Sequence, residues 1–371
     1  MADVLVIGAG AIGMSIALGL ARRGASVRVL ERSAPGSGAS STAAGVLGVQ
    51  NEVWSDSPIG RLCAASLDRY PAWVAELVSL TGIDVGFRAC GGMAVSFDAG
   101  EADVLAERGR WAEPLGFGVE RLDGAGVRLL EAELSVDVAG AARFPREARL
   151  DPPSLVRALS IAAARAGVAI TSGALVRKVV VEGERAAGVL LEDGTRLSGG
   201  RVVLSAGSWS ALVEGVPLAA GVVRPSRGQI VELVTEQPVI RGVIYGPGCY
   251  LSPRDDGRVL VGSTLEFVGF RPGVTAGAVQ ALLAAAIRLV PALSGANVNR
   301  TWSCFRPATP DELPLLGATS VEGLYVASGH FRNGIVLTPI TAEILGSVIE
   351  GKEPPVDIAP FHPMREMRGN S

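Results

Sequence analysis

The tightest constraint on this chain lies in its first thirty-one residues, where an apolar run, a glycine-spaced turn and an amphipathic stretch follow without a break. Val4-Leu5-Val6-Ile7 reads as a strand, Ala11 to Arg22 has apolar residues at helical spacing, and Val27-Arg28-Val29-Leu30 reads as a second strand. Between the first two stands Gly8-x-Gly10-x-x-Gly13, and Glu31 follows about twenty residues later at the end of the second strand. Each residue has a physical task. Gly8 permits a tight turn, Gly10 lets the backbone approach a pyrophosphate, Gly13 lets helix and strand pack closely, and the helix N-terminus offers unpaired N–H groups to an anion. Glu31 is placed to accept from ribose hydroxyls, with Arg32, Ala11 and Ile12 beside it on the same dinucleotide. The pattern does not by itself separate a nicotinamide from a flavin dinucleotide.

The next segment, Gly36-Ser37-Gly38-Ala39-Ser40-Ser41-Thr42-Ala43-Ala44-Gly45-Val46-Leu47, is a long run of small residues. A nicotinamide enzyme normally proceeds to another helix here, whereas this run suits a loop whose backbone approaches an extended ligand such as a flavin. Composition removes other chemistries. The only lysines are Lys178 and Lys352, the first in an alternating strand-like run and the second beside Pro354-Pro355, so Schiff-base chemistry is disfavoured. The only histidines are His330 and His362, and there is no GxSxG elbow, so the sequence points away from hydrolysis. A net charge of −3 with only short basic clusters leaves no footprint for nucleic acid or an anionic membrane. Cys63, Cys90, Cys249 and Cys304 are widely spaced, which suggests neither a disulfide framework nor a metal site. Met1-Ala2-Asp3 shows no basic leader and no long apolar span is present, so a cytoplasmic protein without stable membrane association is expected.

Farther along, Asp151-Pro152-Pro153 marks the start of a helix running to about Arg165 and ending at Gly167. Extended runs at 168–171, 175–181, 187–191 and 202–204 read as a small β meander. The stretches 86–145 and 218–305 read as a second, mainly antiparallel layer with a helix near 276–289. Two interleaved domains sharing one cleft are expected, with residues 1–85, 146–217 and 306–371 binding the nucleotide and residues 86–145 and 218–305 binding the substrate.

Several segments together resemble the D-amino-acid oxidase superfamily and, within it, bacterial glycine oxidase. They are the N-terminal fingerprint, Ser40-Ser41-x-Ala43-Ala44-Gly45, Val202-Val203-Leu204-Ser205-Ala206-Gly207-Ser208-Trp209-Ser210, Arg224-Pro225-Ser226-Arg227-Gly228-Gln229, Phe305-Arg306-Pro307-Ala308-Thr309-Pro310-Asp311 and Gly329-His330-Phe331-Arg332-Asn333-Gly334-Ile335. The resemblance implies an α/β fold: a glutathione-reductase-like Rossmann domain binding FAD without a covalent link, carrying an inserted, mainly antiparallel α+β substrate domain. By matching positions it implies FAD contacts from Gly8, Gly10, Gly13, Glu31, Ser40, Ser41, Ala44, Gly45, Leu47, Val176, Ala206, Gly207 and Trp209. It adds the backbone of Arg332, Asn333, Gly334, Ile335 and Leu337 at the start of a final helix.

For the substrate, the resemblance implies that Tyr250 and Arg306 hold a carboxylate, with Arg332 at the amine or carboxylate end. A guanidinium grips a carboxylate with two parallel hydrogen bonds, which agrees with that assignment. His330 is read as a packed histidine without a catalytic role. Cys304 falls where sarcosine oxidases bind flavin covalently but is read as a core residue, and Leu265 takes a position read as part of the substrate pocket. The implied reaction is oxidation of glycine, a small D-amino acid or a secondary amine, with dioxygen reduced to hydrogen peroxide. If glycine is the substrate, the resemblance implies a role in forming the thiazole of thiamine. A D-amino-acid dehydrogenase passing electrons to a quinone and a sarcosine oxidase-like enzyme stay open alternatives. The family also admits homo-oligomers.

Overall fold

The computed structural model describes residues 2–367; Met1 and residues 368–371, the end of the segment assigned to nucleotide binding, lie outside the described residues. A six-stranded sheet runs in the order Leu315–Ala318, Leu324–Ser328, Arg201–Leu204, Val4–Ile7, Val27–Glu31, Ala169–Ser172. All neighbours are parallel except the first pair. Val4–Ile7 sits where the strand order reverses, so Gly8 emerges at the crevice that this topology opens beyond the strand ends. Helix Ala11–Arg22 has the bounds its spacing predicts and buries Met14, Ile16, Ala17 and Leu20. Each large apolar side chain so buried contributes about 1.5–3 kcal/mol.

The helix predicted after Asp151 spans Pro152–Arg165; the Asp151 carboxylate accepts from Ser154 N–H at 3.2 Å, and Gly167 follows at φ +85°. The meander is smaller than its sequence suggests. Only Val176–Glu182, Arg185–Leu191 and Arg196–Ser198 form a separate three-stranded antiparallel sheet. Ala169–Ser172 and Arg201–Leu204 join the main sheet in parallel instead, the first after helix Pro152–Arg165 and the second after the three-stranded sheet, each a crossover long enough to return the chain to the same strand end. The run 36–47 is not wholly a loop: Ala39–Thr42 forms one helical turn and Val46–Leu47 pairs with Ala148–Arg149. A 24-residue helix, Pro58–Thr81, had no clear sequence signal because Pro71 interrupts it; Ser57 caps its start and Gly82 closes it in the left-handed region.

A second sheet of eight strands takes Gly92–Ser96, Glu120–Asp123 and Gly140–Phe144 from the first half of the chain. It takes Arg224–Val234, Val243–Gly246, Cys249–Pro253, Arg258–Gly262 and Asn297–Ala308 from the second half. Its pairs are antiparallel apart from Val243–Gly246 beside Gly92–Ser96. Helix Ala276–Leu289 covers it through Leu282, Ala286 and Leu289.

Between the two sheets lies a fully buried carboxylate. Glu147 Oε1 accepts from the N–H groups of Val49, Gln50 and Asn51 at 3.0, 3.0 and 3.1 Å, and Oε2 accepts from Tyr245 Oη at 2.7 Å. Burial pushes this carboxyl up, to about 7, against the donors that favour its charged form. The folded protein therefore keeps the Glu147 proton at pH values where the unfolded chain, titrating near 4.5, has lost it. Its contribution to stability must fall as pH rises from 4.5 to about 7 and stay constant above that. Urea unfolding across this range should show that slope, and Glu147→Gln should remove it. Glu147→Ala, which strands the donors, should cost about 3 kcal/mol or more.

Candidate active site

The Gly8 to Gly13 turn is built by close approach. Gly8 has φ +102°, and a Cβ there would collide with the Ser205 carbonyl. A Cβ on Gly13 would collide with the Gly8 carbonyl and Ser205 Oγ, and Ser205 Oγ itself donates to the Ile7 carbonyl at 2.8 Å. Gly10 begins the helix without a side chain to cap it, and Ser40 Oγ accepts the Ala11 N–H at 2.9 Å. Glu31 accepts from Ala9 N–H at 2.8 Å and Ser33 N–H at 2.9 Å, so it braces the turn as well as facing the cavity.

From this turn a cavity of about 500 Å³ extends toward the second sheet, a size typical of cofactor and small-molecule sites. Gly8, Gly10, Ile12, Glu31, Arg32 and Ser40 line its nucleotide end, with Ala44, Gly45 and Val176. Ala206, Gly207 and Trp209 form another wall, and the Arg32 guanidinium lies 3.6 Å from the Trp209 ring centre. Tyr250, Arg306, Arg332, Asn333, Gly334 and Ile335 line the remainder. Ala11, Gly13, Ser41, Leu47 and Leu337 stand behind the wall. Leu47 and Leu337 are fully buried because their side chains pack into the hydrophobic core instead.

Two readings need correction. The final helix begins only at Thr338; Phe331–Asn333 is a 3₁₀ turn, with Phe331 at φ +48°, so the cavity segment precedes the helix. Leu265 does not line the cavity and is 47% exposed, next to Glu266, whose backbone is bridged to Arg227. Cys304 is buried, as expected, and also touches the cavity wall.

Other elements hold the cavity walls in place. Tyr70 donates to the Ile335 carbonyl and Ser66 to the Val336 carbonyl at 2.6 Å, so the long helix anchors residues 335–336. From the second sheet, Trp302 Nε1 donates to the Thr42 carbonyl at 2.9 Å and Arg254 to the Ala44 carbonyl at 2.7 Å. Asn333 Oδ1, buried at the cavity, has no hydrogen-bond partner. A helix start whose N-cap residue, Gly10, has no side chain, glycines that exclude any Cβ and an orphaned amide oxygen suit a bound dinucleotide.

At the far end, Arg306 donates to Ser263 Oγ and, at 3.2 Å, to the Thr264 carbonyl. Among the described residues it has no carboxylate partner. Burial raises the Tyr250 phenol above its usual range, with Arg306 and Ser263 opposing, so it stays protonated and able to donate. Its ring lies over Gly262, and the Arg306 guanidinium lies over Gly228; a Cβ at either glycine would strike it. His330 is buried, bonded to Thr341 Oγ1 at 3.1 Å and pushed down to about 3 by burial, so it is neutral. Sequence reasoning missed Glu52, Ser263 and Phe305 on the wall. Ser263 and Glu52 carry no local motif, whereas Phe305 lies inside a matched segment beside Arg306. Among the described residues there is no cluster suited to a metal and no helix long and apolar enough to cross a membrane.

Residues 3–347 match the family described as FAD dependent oxidoreductase (DAO), and the chain belongs to that family. Its cofactor is FAD. The "Bifunctional protein ThiO/ThiG" of Trichormus variabilis is 34% identical over 361 residues, covering 97% of this chain and 54% of that protein. The chain thus spans about half the length of the bifunctional relatives it matches. A "Glycine oxidase" of Geobacillus kaustophilus is also 34% identical, covering 97% of this chain and 96% of that protein. The crystal structure of glycine oxidase from that organism superposes with a TM-score of 0.93, at 34% identity and 99% coverage of both chains.

Two substitutions test this geometry. Gly13→Val should abolish the yellow colour of the purified protein, measured as flavin absorbance per polypeptide. Gly228→Ala should leave flavin content unchanged but displace Arg306, weakening carboxylate ligands by about 10- to 100-fold in a flavin-absorbance titration.

Proposed function

We propose that this chain oxidises glycine or another small amino acid in the manner of a glycine oxidase. The observation that carries this reading is the nearness of Tyr250 to an Arg306 whose charge no carboxylate among the described residues neutralises, both lining the same cavity. FAD, when bound, would supply a two-electron acceptor for the Cα–H hydride, so that amino acid and dioxygen would give imino acid and hydrogen peroxide, the second hydrogen coming from the amine N–H.

The chain's own residues bind and orient. Arg306 takes the substrate carboxylate, and the Tyr250 hydroxyl donates to the same group. Ser263 and Thr264 fix the guanidinium plane, so rotational freedom is removed before reaction. His330, pushed down to about 3 by burial and bonded to Thr341, is too weak a base to take a substrate proton. In this reading Gly8, Gly10, Glu31, Ser40, Gly45, Ala206 and Asn333 hold FAD. The segments 1–85, 146–217 and 306–371 form its domain, and 86–145 with 218–305 form the substrate domain. The ThiO relatives support placing the product imine in thiazole formation for thiamine. A cytoplasmic location accords with such a role.

Purified protein supplied with glycine, sarcosine, D-alanine and D-proline in air should release peroxide, with glycine among its good substrates. Flavin bleaching without peroxide would instead identify a dehydrogenase, and no bleaching with any of the four would reject the substrate class. Arg306→Lys, which cannot make the two-pronged contact, should lose about 1.5–3 kcal/mol in kcat/KM, roughly 10- to 100-fold.

A further inference from the structure

The two arginines at the substrate end of the cavity differ in how their charge is balanced. Among the described residues, Arg306 hydrogen-bonds only the neutral oxygens of Ser263 and Thr264. Arg332 lies between two carboxylates, with Nε 3.7 Å from Glu52 Oε2 and Nη2 3.6 Å from Glu312 Oε2. Glu312 is at the rim, its side chain 52% exposed, whereas that of Glu52 is 21% exposed and lines the cavity with Tyr250. The segment carrying Glu52 is held from behind, because Glu147 accepts the N–H groups of Val49, Gln50 and Asn51.

We propose that Glu52 is a specificity-determining residue: by neutralising Arg332 and placing a negative charge in the cavity, it limits the substrate to a single acidic group. The inference rests on the reading of this cavity as an amino-acid site. One guanidinium, Arg306, is left to demand an anion, and one carboxylate satisfies it. A second acidic group, as in an aminodicarboxylate, reaches toward Arg332 but meets Glu52, and two anions in a part-buried cavity repel strongly. Neutralising Glu52 releases Arg332 to accept that second group.

The test titrates flavin-loaded protein with acetate and malonate, following the flavin absorbance. Glu52→Gln should lower the ratio of the malonate Kd to the acetate Kd by about tenfold or more. The kcat/KM of iminodiacetate relative to glycine should rise in parallel. A loss of packing alone would weaken both acids together and leave the ratio where it was. An unchanged ratio in a yellow, acetate-binding Glu52→Gln protein overturns the proposal. If that variant does not fold, Arg332→Gln serves: it leaves Glu52 unneutralised and should raise the ratio, and no rise overturns the proposal. The predicted ratio shift without oxidation of any amine would sink the oxidase reading and uphold the role of Glu52. Failure of the wild type to bind either acid would sink both.

Discussion

Gly10 starts helix Ala11–Arg22 with no side chain of its own to cap it, at the point where the parallel sheet reverses its order. A helix start concentrates partial positive charge and unsatisfied N–H groups, which favours an anionic ligand. The rest of the nucleotide end is arranged to keep that start reachable. Gly8 and Gly13 remove side chains that would collide with Ser205 or with the turn itself, and Glu31 ties the turn to the second strand through Ala9.

The substrate end depends on a different constraint, the placing of charge between two sheets. Arg306 lies near the end of the long strand Asn297–Ala308, paired with Arg224–Val234 through Ser226. Gly228 and Gly262, on neighbouring strands, leave the space that Arg306 and Tyr250 occupy. Glu147 and the long helix fix the opposite walls, the first through the amides of residues 49–51 and the second through the carbonyls of 335–336. These buried polar contacts hold the backbone around the charged groups at fixed positions.

Local pattern was legible where one element contains the whole signal. The fingerprint, the two helices at Ala11–Arg22 and Ala276–Leu289, and the Asp151 cap were readable because periodicity and capping act within a few residues. The helix Pro58–Thr81 was not, since Pro71 breaks the expected pattern and tertiary packing of Tyr70 and Leu77 overrides it. The placing of 332–337 at a helix start came from the family resemblance and not from a local signal; the carbonyls of Ile335 and Val336 are held by Tyr70 and Ser66, and the helix begins only at Thr338.

By itself the sequence determined the βαβ opening and its glycine-spaced turn, because each is a property of local spacing, whereas Tyr250 and Arg306 were reached only through the family resemblance. Tertiary structure decided which arginine is free and which is neutralised, since Glu52, Glu312 and Arg332 meet only through folding from distant parts of the chain. It likewise decided that Leu265 faces outward, that Cys304 reaches the cavity and that His330 is locked neutral. Burial and charge balance are sums over neighbours brought together by long-range packing, and no local pattern encodes them.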